Sequence, residues 1–147
     1  MPARPRRCSA AWNREPRPAQ AGRGPINPDQ VPADEFAALV AAQLSALPEW
    51  VRRAVQEVAI LTEDVPPPGA GPEHGLLLGR YHGVPLTRRG HRFSGSLPDT
   101  IVLYREPILR TCRRAADLPS RVRRVLLHEI GHALGLSEER LRELGVG

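Results

Sequence analysis

Apolar residues recur at helical spacing early in the chain, and the pattern predicts a first helix over residues 34–47. Asp34 is a suitable residue to cap its N-terminus. A second, shorter helical turn is predicted to begin at Pro48 and to run to Ala54. The residues that share one face of the first helix are Phe36, Leu39, Val40, Leu44 and Leu47.

Three later segments have the composition of β-strands, and they lie at residues 55–62, 76–82 and 100–105. The first alternates imperfectly between apolar and polar residues and ends at a Pro-rich loop. Residues 86–98, between the second and third strands, are basic, contain glycine and follow no regular pattern. The chain is therefore expected to combine helices with a small sheet of about three strands.

A further helix is predicted over residues 118–134. Asp117 is a suitable N-cap, and Pro119 falls in the first turn, where its missing N–H is tolerated. Gly135 is a good C-terminal stop. At about 100° per residue, one arc of this helix is apolar and consists of Val122, Leu126, Leu127, Ile130, Ala133 and Leu134.

Residues 128–132 form the pentad HExxH, and its polar residues His128, Glu129 and His132 share the opposite arc. Two histidines four residues apart lie on one helix face, about 40° apart around the axis, so both can bind one tetrahedral ion. Glu129 lies beside the first ligand, where it can act as a general base on a metal-activated water. Surface histidines on an ordinary amphipathic helix are the alternative, but the spacing and the enclosed glutamate favour one zinc ion.

A third zinc ligand is expected shortly after the pentad, because a catalytic zinc usually has three protein ligands and one water. In the extended motif HExxHxxGxxH the chain reverses at the glycine, and the last histidine completes the site. Gly135 occupies the glycine position here, and Glu138 occupies the third-ligand position. Since a carboxylate can bind zinc, the predicted ligands are His128, His132 and Glu138.

Glu138 also has a structural interpretation, as a first-turn acid of a short closing helix over residues 138–144 with Ser137 as its N-cap. The two interpretations are compatible, because a helical residue can bind a metal. Glu139 and Glu143 are weaker alternatives for the third ligand.

The positive charge of the chain is concentrated at its N-terminus, although the formal net charge is +5 overall. Residues 1–32 hold six arginines and two acids, whereas the remaining 115 residues have a net charge of only +1. The high Pro, Arg, Gly and Ala content of residues 1–32 predicts a disordered tail or a misassigned start, and residues 33–147 are expected to form one domain. Nucleic-acid binding is not expected, except weakly through the tail.

Cysteine usage and hydropathy indicate the compartment. Cys8 and Cys112 are far apart in the sequence, so they form neither a disulfide framework nor a Cys-based zinc site. No stretch approaches the roughly 20 apolar residues of a transmembrane helix, and the tail has no apolar run of the length found in signal peptides. A cytoplasmic protein without a membrane partner is expected, and its oligomeric state stays open.

With these elements placed, the chain resembles a family of small bacterial metallopeptidases with a minimal zincin fold. The resemblance implies an α+β unit in which a small sheet packs against the zinc-motif helix, with His128 and His132 as ligands and Glu129 as base. The family motif generally reads HExxHxxGxxD, so Glu138 is one methylene longer than the usual residue. The resemblance covers residues 35–145 and rests on the pentad and on residues 77–86, 97–104 and 127–145.

The leading hypothesis is a zinc metalloendopeptidase, or a related metal-dependent hydrolase, that acts on a peptide or protein substrate. An edge strand would align the substrate, and either the second or the third predicted strand can serve. The alternative is a non-catalytic metal-binding or interaction protein with a vestigial zincin site, motivated by the small domain, Glu138 and the absence of a Met-turn. Candidate oxyanion donors, for each of which a structural or surface role is favoured, are Tyr81, His82, Arg88, His91 and Tyr104.

Overall fold

Five helices and three strands make up the part of the chain that the computed structural model describes, which is residues 24–71, 76–85 and 99–146. Two 3₁₀ turns, Pro28–Gln30 and Ala115–Asp117, accompany them. None of the helices in these ranges is long and apolar enough to cross a membrane. In chain order the elements are α1 (Ala33–Ser45), α2 (Glu49–Ala54), β1 (Ala59–Glu63), β2 (Gly79–His82), β3 (Thr100–Tyr104), α3 (Arg105–Thr111), α4 (Leu118–Ala133) and α5 (Glu138–Glu143).

The strands form one mixed sheet in the order β1-β3-β2. β1 runs parallel to β3 and pairs Ala59 with Thr100, while β2 runs antiparallel and pairs Tyr81 with Ile101. All of β3 after Thr100 is buried, which suits a central strand whose two faces are both covered. The α+β class with three strands is therefore as expected, and β2 is an edge strand of this sheet.

The main core lies between the sheet, α1 and α4, and α1 packs against both α4 and β1. Phe36 and Val40 of α1 are buried there, as the helical spacing predicted. The predicted apolar arc of α4 faces the same core: Val122, Leu126, Ile130 and Ala133 are buried, and Leu127 and Leu134 are half-buried. The hydrophobic effect on this one arc thus fixes which face of α4 turns outward.

Helix α3 was not expected from the sequence, which predicted a strand as far as residue 105 and no further helix before residue 118. Pro107 lies in its first turn, so the missing N–H removes no hydrogen bond within the helix. Ile108 and Leu109 are fully buried in the core, and this burial stabilises a helix of only seven residues. The third strand accordingly ends at Tyr104, one residue before its predicted end.

The first predicted strand begins too early, because residues 55–58 form a turn that continues from α2. The N–H of Val55 donates to the carbonyl of Val51, and the Val58 N–H donates to Val55. The side chains of Val55 and Val58 pack in the main core, and neither residue belongs to a strand of the sheet. Asp34 is likewise not a cap, since Pro32 occupies the N-cap position of α1.

Packing begins before residue 33, where the domain was expected to start. Ile26 and Val31 belong to the main core. The Arg105 guanidinium donates to the carbonyls of Pro28 and Val31, at 2.9 Å each, and ties this segment to the start of α3. Most of the predicted tail, including Cys8, lies within residues 1–23, outside the described residues. The disorder of the tail, its nucleic-acid contact and the boundary between tail and domain therefore stay predictions.

Candidate metal centre

Helix α4 has the predicted bounds to within one residue, and its end is defined by Gly135. Gly135 has a φ of +93°, its N–H donates to the carbonyl of His132, and the Leu136 N–H donates to Gly131. These two bonds are the Schellman motif that ends helices at a left-handed glycine. At the other end Asp117 occupies the predicted N-cap position, but its backbone angles are helical and its carboxylate faces Arg114 and makes no capping hydrogen bond.

The two histidines project from the last two turns of α4. Their ring centroids are 4.8 Å apart, and the rings lie nearly edge to face. Their Nε2 atoms approach to 3.2 Å. Helical spacing alone produces this pairing, because side chains four residues apart lie one above the other.

Helix α5 brings the third predicted residue to the histidines. Ser137 caps it as expected, since its hydroxyl accepts a hydrogen bond from the Arg140 N–H. Leu141 packs directly on Gly131, where a Cβ would lie 2.3 Å from the Leu141 side chain. This close approach places Glu138, the first residue of α5, beside the histidines. The Oε1 atom of Glu138 lies 2.8 Å from His132 Nε2 and 3.3 Å from His128 Nε2.

Backbone carbonyls fix the orientation of both imidazoles. His128 Nδ1 lies 2.8 Å from the carbonyl of Val146, and His132 Nδ1 lies 3.2 Å from that of Leu136. A carbonyl can only accept, so each Nδ1 must carry the proton that it donates. In the neutral rings Nε2 then presents its lone pair to the neighbouring ligand atoms, as metal-binding histidines do.

The donor set fits a divalent cation. Without a proton or a cation between them, two imidazole lone pairs and a carboxylate oxygen would face one another within 4.8 Å. Burial alone would raise the pKa of Glu138, but the hydrogen bond with His132 and, when the rings are protonated, the charges of both histidines outweigh it and lower that pKa. Glu138 therefore stays ionised, and imidazole nitrogen with carboxylate oxygen is a ligand set that zinc accepts.

Glu129 lies beside this cluster but is enclosed, with only 7% of its surface exposed. Burial raises the pKa of Glu129, the nearby Glu138 raises it further, and the two histidines and a hydrogen bond with the Tyr81 backbone lower it. Gly79 permits the enclosure, because a Cβ there would lie 3.0 Å from Val125 and 3.2 Å from Glu129. A glutamate whose carboxylate is held next to three possible metal ligands is suited to proton transfer.

Strand β2 covers one flank of α4, which the sequence did not indicate. Glu129 lies on the arc opposite the apolar one, and Val125 lies on the same arc one turn earlier, yet both are buried against β2. A cleft of about 540 Å³ remains between β2 and the turn from α4 to α5. It is lined by the polar residues of the pentad, by Glu138 and by residues 79–81 of β2, so a substrate there would contact both elements.

The structure brings together His128, His132 and Glu138, with Glu129 beside them. The two weaker candidates for third ligand do not join them: Glu139 is exposed outside the cluster, and Glu143 pairs with Arg140 at 2.8 Å. The acid of the closing helix and the candidate third ligand are thus the same residue, as the compatible interpretations allowed.

The candidate oxyanion donors lie at different positions relative to the cleft. The Tyr81 hydroxyl donates to the carboxylate of Asp99, and Tyr104 is buried outside the cleft lining. His82 is exposed at the end of β2 and is also absent from that lining. Arg88 and His91 lie outside the described residues. Of the three candidates among the described residues, Tyr81 lines the cleft that contains the candidate metal ligands, and His82 and Tyr104 do not.

Comparison with models of known protein families agrees with this description. A family model for zincin-like metallopeptidases matches residues 55–147, which include all three strands and every site residue. Among solved structures, a conserved hypothetical protein from Thermus thermophilus is 28% identical, with 78% of this chain and 97% of that chain covered and a TM-score of 0.48. Comparison with curated proteins gave no match.

Proposed function

Since the chain belongs to the zincin-like metallopeptidase family, we propose that it is a zinc-dependent peptidase with Glu129 as its general base. One observation carries the proposal: Nε2 of both histidines and Oε1 of Glu138 converge while each histidine Nδ1 is held by a carbonyl. Two surface histidines on an ordinary amphipathic helix would not require that backbone carbonyls orient both rings or that a carboxylate oxygen lie close to both Nε2 atoms. The arrangement supports a site prepared for a metal ion.

His128, His132 and Glu138 would hold the zinc. Zinc, when bound, would supply a Lewis acid that lowers the pKa of its water to about 7 and polarises a carbonyl. The carbonyls of Leu136 and Val146 would keep the two imidazoles in the tautomer that this binding requires. The exposed side of Glu138, with 60% of its side chain accessible, faces the cleft from which a substrate would come.

Glu129 would move the proton. Its carboxylate accepts a proton from the attacking water and later gives it to the leaving amine, so the peptide C–N bond breaks and one C–O bond forms. Its raised pKa favours the first of these transfers, because a carboxylate of higher pKa is a stronger base toward water. The Tyr81 backbone would hold the carboxylate in place between the two transfers.

Strand β2 would align the peptide. The sequence left two strands open for this role, and β3 now lies at the centre of the described sheet with β2 at its edge next to the pentad. An extended peptide can add to an edge strand by backbone hydrogen bonds. The scissile bond would then lie over Glu129 and the histidines, which line the same cleft as β2.

The test is cleavage of a peptide library by the zinc-loaded protein and by its Glu129→Gln variant. Wild type should cleave, and the variant should lose about 10²- to 10⁴-fold in rate while keeping its zinc, since only the proton carrier is removed. Glu139→Gln is the matched control, because Glu139 is exposed and does not belong to the group of His128, His132 and Glu138. Equal turnover in wild type and Glu129→Gln would refute the assignment of the base, and zinc binding without cleavage of any peptide would favour the non-catalytic alternative.

A further inference from the structure

Asp99 is a buried carboxylate that the proposed mechanism does not use. Only 5% of its surface is exposed, and its carboxylate accepts a hydrogen bond from the Tyr81 hydroxyl. Its backbone carbonyl accepts a hydrogen bond from the Ala59 N–H, at the start of β1. A buried carboxylate lowers stability unless hydrogen bonds compensate for the lost water. Asp99 thus connects the interior of the sheet to Tyr81, an edge-strand residue that lines the cleft.

The Asp99 carboxylate also lies against the backbone just after β2. A Cβ at Gly83 would collide with that carboxylate, and Gly83 has a positive φ, which glycine adopts without strain. Tyr81 and Gly83 both line the cleft, whereas Asp99 does not. Asp99 therefore contacts the C-terminal end of the edge strand from outside the cleft, on the side away from a substrate.

The pairing of β2 with β3 directs the Tyr81 N–H away from β3. The Tyr104 N–H donates to the carbonyl of Leu78, so these two residues form a hydrogen-bonded pair. Such pairs alternate with non-hydrogen-bonded pairs in an antiparallel ladder, and the register places Tyr81 opposite Ile101 in a pair of the second kind. The Tyr81 N–H consequently points outward from the sheet edge, where it donates to the Glu129 carboxylate.

The side chain of Tyr81 lies on the face of the sheet that meets α4. Residues 79 and 81 share one face of β2, because side chains alternate along a strand, and Gly79 lies against Glu129 on that face. The Tyr81 ring packs against the main core, and its hydroxyl is bound at Asp99. Both ends of this side chain are therefore held, which fixes the backbone N–H of Tyr81 relative to Glu129.

We propose that Asp99 is a positioning residue for the general base: it anchors Tyr81 through the tyrosine hydroxyl, and the Tyr81 N–H thereby holds the Glu129 carboxylate at the metal site. The inference rests on the proposed function, in which Glu129 carries the proton. Asp99 acts through Tyr81 and contacts no reacting atom. A displacement of about 1 Å in an active site can lower a rate about 100-fold, so loss of the anchor should be measurable. The competing explanation is that the hydrogen bond only stabilises the sheet.

The first measurement is hydrogen exchange at the amide of residue 81, made by NMR on the full chain with and without zinc. Tyr81→Phe removes the hydroxyl and keeps the ring, and Tyr104→Phe is the matched control, because Tyr104 is buried and lies outside the cleft lining. In Tyr81→Phe the residue-81 amide should exchange about tenfold faster or more relative to the amide of Leu126 in the core. Tyr104→Phe should leave this ratio unchanged. A general loss of stability would instead accelerate both amides together.

The second measurement is kcat of the zinc-loaded protein. Tyr81→Phe and Asp99→Ala should each lower kcat about 10- to 100-fold, and the double variant should lose little more, because the two residues form one contact. In a Glu129→Gln background the same substitutions should change the residual rate by less than about twofold, since they act through Glu129. Tyr104→Phe should retain the kcat of wild type.

The two measurements separate this inference from the proposed function. An unchanged exchange ratio in Tyr81→Phe, or rate losses that multiply with the loss in Glu129→Gln, would overturn the inference and leave peptidase activity standing. Faster exchange in a protein that cleaves no peptide would overturn the proposed function and keep the anchoring of Tyr81 by Asp99. If Asp99→Ala does not fold, Tyr81→Phe decides alone, because it breaks the same hydrogen bond and leaves the buried carboxylate in place.

Discussion

The two sides of α4 are held by different kinds of contact. On one side Leu126 and Ile130 are buried in the apolar core, where packing is dense and has little directional character. On the other side His128 and His132 are oriented by hydrogen bonds to backbone carbonyls that follow the helix. The contacts on the first side determine the stability of the fold, and those on the second determine the geometry of the candidate metal site. Substitutions on the two sides should therefore change different measured quantities.

The largest effect is expected on the core side. Leu126→Ala should lower the free energy of unfolding of the zinc-free protein by about 2–5 kcal/mol, because Leu126 is fully buried and the cavity left behind cannot close completely. Urea denaturation measures this loss. A change below about 1 kcal/mol would mean that the apolar arc of α4 does not support the core.

On the ligand side, Gly131→Ala should weaken zinc binding about 10- to 100-fold. The new Cβ would collide with Leu141, and displacement of α5 would carry Glu138 away from the histidines. Alanine is itself the better helix former by about 1 kcal/mol, so loss of the helix cannot explain a loss of zinc. Competition with a chelator measures the affinity.

A double substitution sharpens this prediction. Leu141→Ala removes the side chain with which the new Cβ collides, so Gly131→Ala should cost little further affinity in that background. If the two losses simply add, the collision is not the cause.

A smaller effect is expected from removing residues 146–147. The Val146 carbonyl accepts a hydrogen bond from His128 Nδ1, and its loss should weaken zinc binding about tenfold, equivalent to about 1.4 kcal/mol. Removing Gly147 alone is the control, because Val146 then still provides an oxygen acceptor. Equal losses in the two truncated proteins would contradict a positioning role for this carbonyl.

Sequence patterns predicted the parts of the molecule that depend on local spacing. The bounds of α4, its apolar arc, the stop at Gly135 and the cap at Ser137 all follow from interactions within a few residues of the chain. The proximity of His128 to His132 follows from the same periodicity. The short helix α3 was a harder case, because its helical form depends on core packing around Ile108.

Features that depend on contacts between distant segments could not be found in this way. Glu129 is enclosed because β2 crosses α4, and the signal was only a glycine, Gly79, within an apolar segment. The carbonyls that orient the histidines leave no mark in a sequence at all, since every residue has one. Gly131 was read only as part of the pentad, although its missing side chain is what admits Leu141.

The most direct measurement is the zinc affinity and stoichiometry of three purified proteins: wild type, Glu138→Ala and the matched variant Glu139→Ala. Glu138 Oε1 lies within 3.3 Å of both Nε2 atoms, whereas Glu139 lies outside the metal cluster. Wild type and Glu139→Ala should each bind one zinc per chain with similar affinity, and Glu138→Ala should bind it at least about tenfold more weakly. Undiminished zinc binding by Glu138→Ala would contradict the three-ligand site from which the proposed function is built.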